Sequence, residues 1–332
     1  MRSSRKGRCR FATRSRAGEG YQMEPIVDVV IPTYKPQQKY FDLLRMLAEQ
    51  TVAVNRIIVM NTEEKYYEAL TYGNKAVKRY RNVEVYHISK REFDHGNTRN
   101  KAVRKSKAPY FVCITQDAVP ADEHLIENLI RPLEREDVAV SYGRQLPEAD
   151  CMPIERFTRE FNYPEESCIK GRDDIDRLGI KTFFCSNACA AYKRDVFEER
   201  GGFIRHTIFN EDMIYAAGAV LAGWKIAYAA DAQVYHSHNY SWKEYFHRNV
   251  DLGVSQADHP EIFAQIKSES EGIRLVKMTA QWLKENGYGN QIPLLIWNSG
   301  WKYLGYEIGK HYQKLPRGFV RKCSMNRSYF RG

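Results

Sequence analysis

A carboxylate and two imidazoles stand at the ends of apolar segments, where they could bind a metal ion. Asp117 follows the run Tyr110–Ile114, and His236 and His238 lie at the end of the segment 233–236. A carboxylate at the end of a buried strand suits a hard cation such as Mg²⁺ or Mn²⁺, which can bridge to a nucleotide diphosphate. An Asp that caps a helix or a loop is the alternative. If Asp117 is a ligand, we expect only one of the two histidines to face the same site.

Two adjacent acidic residues, Glu211 and Asp212, open an apolar helical segment that ends at Leu221. Acidic side chains are favoured in the first turn of a helix because the helix dipole is positive there. Position alone therefore favours a structural role for this pair. The functional alternative is that Asp212 is a general base, which accepts a proton from a hydroxyl group.

A third candidate is the turn at Gly96, which leads into a predicted helix. Thr98, Arg99 and Asn100 stand at the start of this helix. Backbone N–H groups at a helix start, together with a guanidinium, suit the binding of a phosphate. The turn is therefore a candidate phosphate site.

Alternating strands and helices position these residues. Short, β-branched apolar runs predict strands, and apolar residues at helical spacing predict helices. The strands are 26–31, 56–60, 83–88 and 110–114, and the helices are 40–50, 63–78 and one from about Asn97. This order implies an α/β fold with a largely parallel, doubly wound sheet, in which ligands bind at the carboxyl ends of the strands. The polar residues at those ends are Thr33, Tyr34, Asn61, Thr62, Thr115, Gln116 and Asp117.

The second half of the chain is less regular. We expect residues 143–182 to form a long loop with short helices over the sheet, followed by an apolar run over 183–191. A pair of short strands is predicted over 225–229 and 233–236. From Ser241 onward the pattern is helical and increasingly aromatic and basic.

Composition and charge exclude several classes of protein. The chain has 332 residues, of which 43% are hydrophobic and 28% charged, so it is globular and long enough for a large core. Its net charge of +10 is concentrated at the ends, because residues 1–22 carry +6 and residues 296–332 carry +7, which leaves about −3 elsewhere. A nucleic-acid-binding protein more often carries basic residues across its body. The longest uncharged apolar run, 213–224, is too short to span a bilayer, and the seven scattered cysteines indicate reduced thiols in the cytoplasm.

Taken in order, the motifs resemble those of the family 2 glycosyltransferases, which have the GT-A fold. The resemblance extends from about Ile26 to Gly253. Its motifs are Val29-Val-Ile-Pro-Thr-Tyr34, Ile57-Ile-Val-Met-Asn61, Gly96-Asn-Thr-Arg-Asn100, Thr115-Gln-Asp-Ala-Val-Pro120, Ser186-Asn-Ala188, Asn210-Glu-Asp212 and Ala232-Gln-Val-Tyr-His236. Within the family, the stretches 93–99, 115–118, 235–238 and 303–312 look like those of bacterial rhamnosyltransferases that use dTDP-L-rhamnose.

The resemblance implies a donor site and its residues. Thr33 and Tyr34 would flank the nucleotide base, Asn61 would lie nearby, and Arg99 would lie near the nucleotide or its diphosphate. The full set of implied donor-binding residues is Thr33, Tyr34, Asn61, Gly96, Arg99, Gln116 and Asp117.

The resemblance also implies a metal site and a base. Asp117 matches the second carboxylate of the family's Asp-x-Asp motif, and with His236 it would bind Mg²⁺ or Mn²⁺. Asp212 matches the catalytic base of the Glu-Asp motif. The base would deprotonate an acceptor hydroxyl that attacks the anomeric carbon in a single displacement. Configuration is then inverted, so dTDP-β-L-rhamnose gives an α-L-rhamnoside.

Two departures from the family pattern keep alternatives open. Thr115 replaces the first Asp of Asp-x-Asp, and Asn61 and Thr62 replace a common Asp-Asp pair. The alternatives are a UDP-sugar donor (galactofuranose, GlcNAc or another hexose) on the same fold, or a non-catalytic protein that binds a sugar nucleotide or a membrane. The intact Asp117, Asp212 and His236 favour an enzyme.

The chain ends suggest three regions, which are a disordered basic extension (1–22), a GT-A catalytic domain (23–255) and a C-terminal helical region (256–332). Aromatic and basic residues alternate in the last region, as in elements that lie at a membrane surface. This favours a peripheral enzyme at the cytoplasmic face of the plasma membrane, with an anionic surface and a lipid-diphosphate-linked saccharide acceptor as partners. A helix packed on the catalytic domain, or a homodimer contact, is the alternative.

Overall fold

The computed structural model describes residues 26–72, 79–263 and 269–331, so the predicted extension 1–22 lies outside the described residues. The strands are β1 (Val27–Tyr34), β2 (Val54–Thr62), β3 (Val83–Ile88), β4 (Tyr110–Ile114), β5 (Val119–Pro120), β6 (Val138–Leu146), β7 (Cys168–Lys170), β8 (Cys189–Lys193) and β9 (Lys225–Tyr235). The helices are α1 (Lys39–Ala48), α2 (Glu64–Thr71), α3 (His95–Val103), α4 (Leu125–Ile130), α5 (Pro153–Asn162), α6 (Ile175–Leu178), α7 (Arg194–Glu199), α8 (Glu211–Leu221), α9 (Trp242–Asp258), α10 (Pro260–Phe263), α11 (Glu269–Glu285), α12 (Ile292–Lys310) and α13 (Arg317–Cys323).

The strands form one sheet in the order β3-β2-β1-β4-β8-β6-β9-β5, with β7 paired to β9. Strands β1 to β4, β6 and β9 run in one direction, and β5, β7 and β8 run against their neighbours. The predicted α/β fold with a mostly parallel sheet is confirmed. The antiparallel β8 in the middle of the sheet was not predicted.

Helices cover both faces of the sheet, as the sequence predicts. Alternate residues of β1 point to opposite sides. Val29 packs into the cluster that contains Leu43 and Leu47 of α1, whereas Val30 packs into the cluster that contains Ala102 of α3 and Val220 of α8. The carboxyl ends of β1, β2, β4, β6 and β9 consequently open at one edge.

Two sequence predictions need correction. The expected strand pair over 225–236 is one strand, β9, which continues past Asp231 because its register with β6 shifts between Gly143 and Arg144. The expected loop over 143–182 contains the end of β6, the ten-residue helix α5 and the edge strand β7. The predicted helix 63–78 is observed as α2 up to Thr71, and residues 73–78 lie outside the described residues.

The C-terminal helices are joined to the sheet domain through α9. This helix begins with a capping box, in which Ser241 and Glu244 exchange hydrogen bonds, and it spans the predicted domain boundary at 255. Helix α12 packs along it so closely that a Cβ atom at Gly305 would collide with the carbonyl oxygen of Phe246. The boundary therefore falls inside a helix. Over the described part of the chain, every helix is too short or too polar to cross a bilayer.

Candidate active site

A cavity of about 600 Å³ opens at the carboxyl edge of the sheet. Its wall combines residues that follow β4 and β9, residues that precede β8, and the first turn of α8. The charged, polar and aromatic side chains that line it include Arg99, Thr115, Asp117, Gln145, Glu155, Arg159, Asn187, Glu211, Asp212, His236, His238, Tyr240, Arg248 and Lys302. The sheet topology therefore brings together side chains that are far apart in the sequence.

One carboxylate and two imidazoles form a cluster in this cavity. The Nε2 atom of His236 lies 3.6 Å from Oδ1 of Asp117, and Nε2 of His238 lies 3.5 Å from Oδ2. The two Nε2 atoms are 3.1 Å apart. Each residue offers one ligand atom, and these three atoms all lie within 4.8 Å of one another. The expectation that only one histidine faces the site is wrong, because residues two apart on extended backbone point to the same side.

Gln145, on β6, orients His236 for this cluster. Its Oε1 atom lies 2.8 Å from Nδ1 of His236, and its amide nitrogen donates to the hydroxyl groups of Tyr163 and Ser186. An acceptor at Nδ1 places the proton there and leaves the lone pair of Nε2 for a metal. Burial is the main cause that lowers the pKa of His236 to about 3, so the ring is neutral at physiological pH.

The donor set decides which metal fits. One carboxylate and two neutral imidazoles suit Mn²⁺ better than Mg²⁺, because Mg²⁺ binds almost entirely through oxygen. Asp117 lies just after the carboxyl end of β4 and is about one-third exposed, so its carboxylate is accessible to a metal ion that enters the cavity. The residues present therefore fit a divalent transition metal.

Asp212 is held by two backbone N–H groups. Its Oδ2 accepts from the amide of Asn187 at 2.7 Å, and its Oδ1 accepts from the amide of Met213 at 2.8 Å. Burial, followed by the charge of Glu211, raises the pKa of Asp212 to about 7. A carboxylate with a pKa near neutrality can both accept a proton from a hydroxyl and remain ionised at physiological pH.

Glu211 has the opposite electrostatic environment. Its carboxylate forms a buried ion pair with Arg99 at 2.9 Å and accepts a hydrogen bond from the amide nitrogen of Asn187. Burial alone would raise the pKa of Glu211, but Arg99, His95 and the hydrogen bond from Asn187 together outweigh it, so the pKa is lowered. Two adjacent carboxyls are thus separated into a permanent anion and a titratable group, which is the pattern expected of a base with a fixed neighbour.

The ends of β1 and β2 form the other part of the predicted donor site. The Thr33 hydroxyl donates to Asn61 at 3.0 Å, and the Asn61 amide contacts Nδ1 of His87 at 2.9 Å. The side-chain amide of Gln116 fixes the backbone of Tyr34 through two hydrogen bonds. Its oxygen accepts from the Tyr34 N–H, and its nitrogen donates to the Tyr34 carbonyl oxygen. Thr33, Asn61 and Gln116 therefore position the end of β1.

The Tyr34 ring lies in a basic and aromatic environment. Tyr66 packs edge-on against it, and the ammonium groups of Lys35 and Lys90 lie 5.5 and 5.4 Å from its centroid. A second cavity, of about 250 Å³, starts at this ring and extends to Met325 near the C-terminus. A half-buried ring with nearby cations suits the base and phosphates of a nucleotide.

The helix start at Gly96 has its own structural partners. The carboxylate of Asp94 caps α3 by accepting from the amide of Asn97 at 2.6 Å, and a Cβ atom at Gly96 would collide with the carbonyl oxygen of Ile204. Arg99 lines the large cavity, but its guanidinium pairs with Glu211. The phosphate contact at Gly96 and Arg99 stays a prediction, and this geometry favours structural roles for both residues.

Sequence reasoning missed Gln145 and Arg248 as cavity residues, and it kept only one of His236 and His238 for the site. The spacing of His238 from His236 was a usable signal, since residues two apart share a side of an extended segment. Gln145 and Arg248 carry no local signal, because their partners come from other elements.

Residues 28–201 match the family model described as glycosyl transferase family 2. The chain belongs to glycosyltransferase family 2. This glycosyltransferase is 40% identical over 306 residues to the O-antigen chain rhamnosyltransferase RfbN of Salmonella typhimurium, and the alignment covers 92% of this chain and 96% of the relative. It is 39% identical over 312 residues to the O-antigen chain rhamnosyltransferase WbaN of Salmonella anatum, with the same two coverages.

A solved structure supports the fold of the glycosyltransferase. The mannosyltransferase PcManGT from Pyrobaculum calidifontis, in complex with GDP-Man and Mn²⁺, superposes with a TM-score of 0.54 at 13% identity. The match covers 92% of this chain and 85% of that one. At this level of identity the likeness shows the shared α/β fold.

Proposed function

We propose that this glycosyltransferase transfers L-rhamnose from dTDP-β-L-rhamnose to a hydroxyl of a lipid-linked saccharide in the synthesis of a bacterial cell-surface polysaccharide. The single observation that carries the proposal is that Asp212 and the Asp117–His236–His238 cluster line the same cavity. Both relatives are named O-antigen chain rhamnosyltransferases, and the alignments cover 96% of each of them. These names support rhamnose as the transferred sugar.

Asp212 is the base in this proposal. The acceptor hydroxyl gives its proton to the carboxylate of Asp212, and its oxygen attacks the anomeric carbon of rhamnose. The bond from that carbon to the diphosphate oxygen breaks on the opposite face, and its electron pair leaves with dTDP. One bond forms as one breaks, so the β-linked donor gives an α-L-rhamnoside. The backbone amides of Asn187 and Met213 hold the carboxylate in place.

Asp117, His236 and His238 would hold the divalent metal, and we propose Mn²⁺ on the basis of two imidazoles in the donor set. When bound, the metal neutralises charge on the leaving diphosphate. Gln145 fixes the ring of His236 so that Nε2 faces the cluster. Thr115 stands in the cavity with a buried hydroxyl that has no hydrogen-bond partner among the described residues, so the first carboxylate of Asp-x-Asp is replaced by a neutral group.

Helix α12 is the proposed contact with the membrane surface. Its outer side presents Ile296, Trp297 and Tyr303, which are 62%, 53% and 64% exposed. Aromatic rings suit the headgroup region, and the net charge of +7 over residues 296–332 suits anionic lipid. Lys302 of the same helix lines the catalytic cavity, which supports an acceptor whose lipid lies near that cavity.

Sedimentation with vesicles tests the membrane contact. We expect binding to vesicles that contain phosphatidylglycerol, and weaker binding by the double variant Trp297→Ser/Tyr303→Ser. Tyr72→Ser is the control, since Tyr72 is 91% exposed and lies outside α12. Equal binding by all three proteins would contradict a membrane contact through this face of α12.

A donor assay tests the proposed reaction. Purified protein is given dTDP-β-L-rhamnose, UDP-galactofuranose or UDP-GlcNAc, each with a diphosphate-linked lipid saccharide and with Mn²⁺ or EDTA. We expect transfer from dTDP-β-L-rhamnose with Mn²⁺ and little transfer with EDTA. Preference for a UDP-sugar would overturn the donor, and binding of donors without any transfer would support the non-catalytic alternative.

A further inference from the structure

We propose that Arg248 binds the diphosphate of the donor nucleotide where the two cavities of the candidate site meet. This inference rests on the proposed function, because it takes a nucleoside diphosphate sugar as the donor. It names a binding residue that neither the sequence motifs nor the matched family segment, which ends at residue 201, includes.

The first observation is the position of Arg248. Arg248 lies on α9 and lines both the 250 Å³ cavity beside Tyr34 and the 600 Å³ cavity that contains Asp212. His95 and Phe209 also line both cavities. A donor with its base at Tyr34 and its sugar at Asp212 must pass its diphosphate through this junction.

The second observation is the charge of Arg248. Three arginines line the large cavity, and two of them are neutralised, because Arg99 pairs with Glu211 at 2.9 Å and Arg159 pairs with Glu155 at 2.6 Å. Over the ranges that the structure describes, Arg248 has no carboxylate within ion-pair distance, although Arg99 and Arg159 do. It is therefore an uncompensated cation that faces a cavity.

The third observation is how the guanidinium is held. It packs over the ring of Phe209 at 4.7 Å and near the ring of Tyr240 at 5.7 Å. Aromatic rings support the flat faces of a guanidinium and leave its N–H groups at the edges free to donate. A planar fork of donors matches the paired oxygens of a phosphate or diphosphate.

The neighbouring cationic groups either are neutral or line only one of the two cavities, as Lys90 does at the smaller one. Burial is the main cause that lowers the pKa of His95, so this ring is neutral at the junction. Lys302 packs over the ring of Tyr245 at 4.0 Å, on the wall formed by α5 and α12. Asp251 also lines the smaller cavity, where its Oδ2 accepts from the amide of Asn326 at 3.1 Å. Arg248 is therefore the cation best placed for an anion that spans both cavities.

Calorimetric titration with dTDP, UDP and thymidine tests the inference, in EDTA and in Mn²⁺. We expect Arg248→Ala to weaken the binding of dTDP by about tenfold to one hundredfold, because charge-assisted hydrogen bonds to phosphate are lost. Its affinity for thymidine, which has no phosphate, is expected to stay within about twofold of the wild type. Because Arg248 acts without the metal, the loss appears in EDTA as well. Lys243→Ala is the matched control, since Lys243 lies on the same helix over the ring of Trp242.

Each outcome decides one question. Equal dTDP affinity for the wild type and Arg248→Ala overturns the inference, as does an equal loss for thymidine. Wild-type binding of UDP but not dTDP overturns the proposed donor, and the Arg248 effect is then read from UDP. Wild-type binding of neither nucleotide overturns both. Arg248→Gln, which keeps the length and loses the charge, gives the same comparison if Arg248→Ala does not fold.

Discussion

Replacing Asp212 by asparagine is expected to abolish transfer and to remove the loss of stability that the wild type shows as the pH rises. Burial and the charge of Glu211 raise the pKa of the Asp212 carboxyl from 3.8 to about 7 in the folded protein. Between these two values the folded state binds the proton and the unfolded state does not. Wild-type stability therefore falls as the pH rises through this interval. Asparagine does not titrate, so the variant escapes that loss.

The size of the effect follows from the two pKa values. Between about pH 5 and about pH 8 the wild type loses about 2–3 kcal/mol of unfolding free energy that the variant keeps. Asparagine has one acceptor oxygen for the two amides of Asn187 and Met213, so it gives up one hydrogen bond at a cost of about 1–3 kcal/mol. That cost does not depend on pH. It therefore shifts the difference in unfolding free energy between the variant and the wild type by a constant and leaves its pH dependence unchanged.

Urea unfolding of both proteins over this pH range measures the difference directly. Glu211→Gln is the matched control, because it removes the neighbouring carboxylate and leaves Arg99 buried without its partner. We expect that control to lose about 3–5 kcal/mol. A stability difference between Asp212→Asn and the wild type that stays constant with pH would refute the raised pKa. Transfer by Asp212→Asn at a rate near the wild type would refute its role as the base.

Two further predictions concern the metal cluster and the packing of α12. His238→Ala is expected to weaken Mn²⁺ binding by at least about tenfold in a calorimetric titration. His124→Ala, at the exposed residue that precedes α4, is expected to leave it unchanged. Equal affinities for the two variants would remove His238 from the site. Gly305→Ala is expected to destabilise the fold in thermal unfolding, because its Cβ would meet the backbone of α9. Gly300→Ala on the same helix meets open space and is expected to stabilise by up to about 1 kcal/mol, so a similar response at both glycines would contradict the close packing.

The fold was largely predictable because its strands are marked by local composition. The predicted strands 83–88 and 110–114 agree with β3 and β4, since short β-branched runs are a strong local signal. Strand β9 was predicted as two pieces, because Asp231 interrupts an apolar run as a turn would. Pairing with β6 on either side of its register shift keeps the strand continuous, and no local pattern encodes that pairing.

The candidate site was predictable only in part, for a related reason. Asp117 and Asp212 were proposed from motifs, and the structure brings both to one cavity. Gln145 was not proposed, because its hydrogen bond to His236 joins residues 91 positions apart. Arg248 was not proposed either, since the rings that hold it come from a loop before α8 and from the segment just before α9. Long-range contacts of this kind follow from the topology and not from spacing.

The central claim is that this glycosyltransferase adds rhamnose with inversion at the anomeric carbon. The most direct measurement is the NMR spectrum of the product made from dTDP-β-L-rhamnose labelled with ¹³C at the anomeric carbon, a diphosphate-linked lipid saccharide and Mn²⁺. We predict that the label appears in an α-L-rhamnoside on the acceptor and that one dTDP is released for each rhamnose transferred. A β-linked product would contradict the single displacement that places Asp212 as the base.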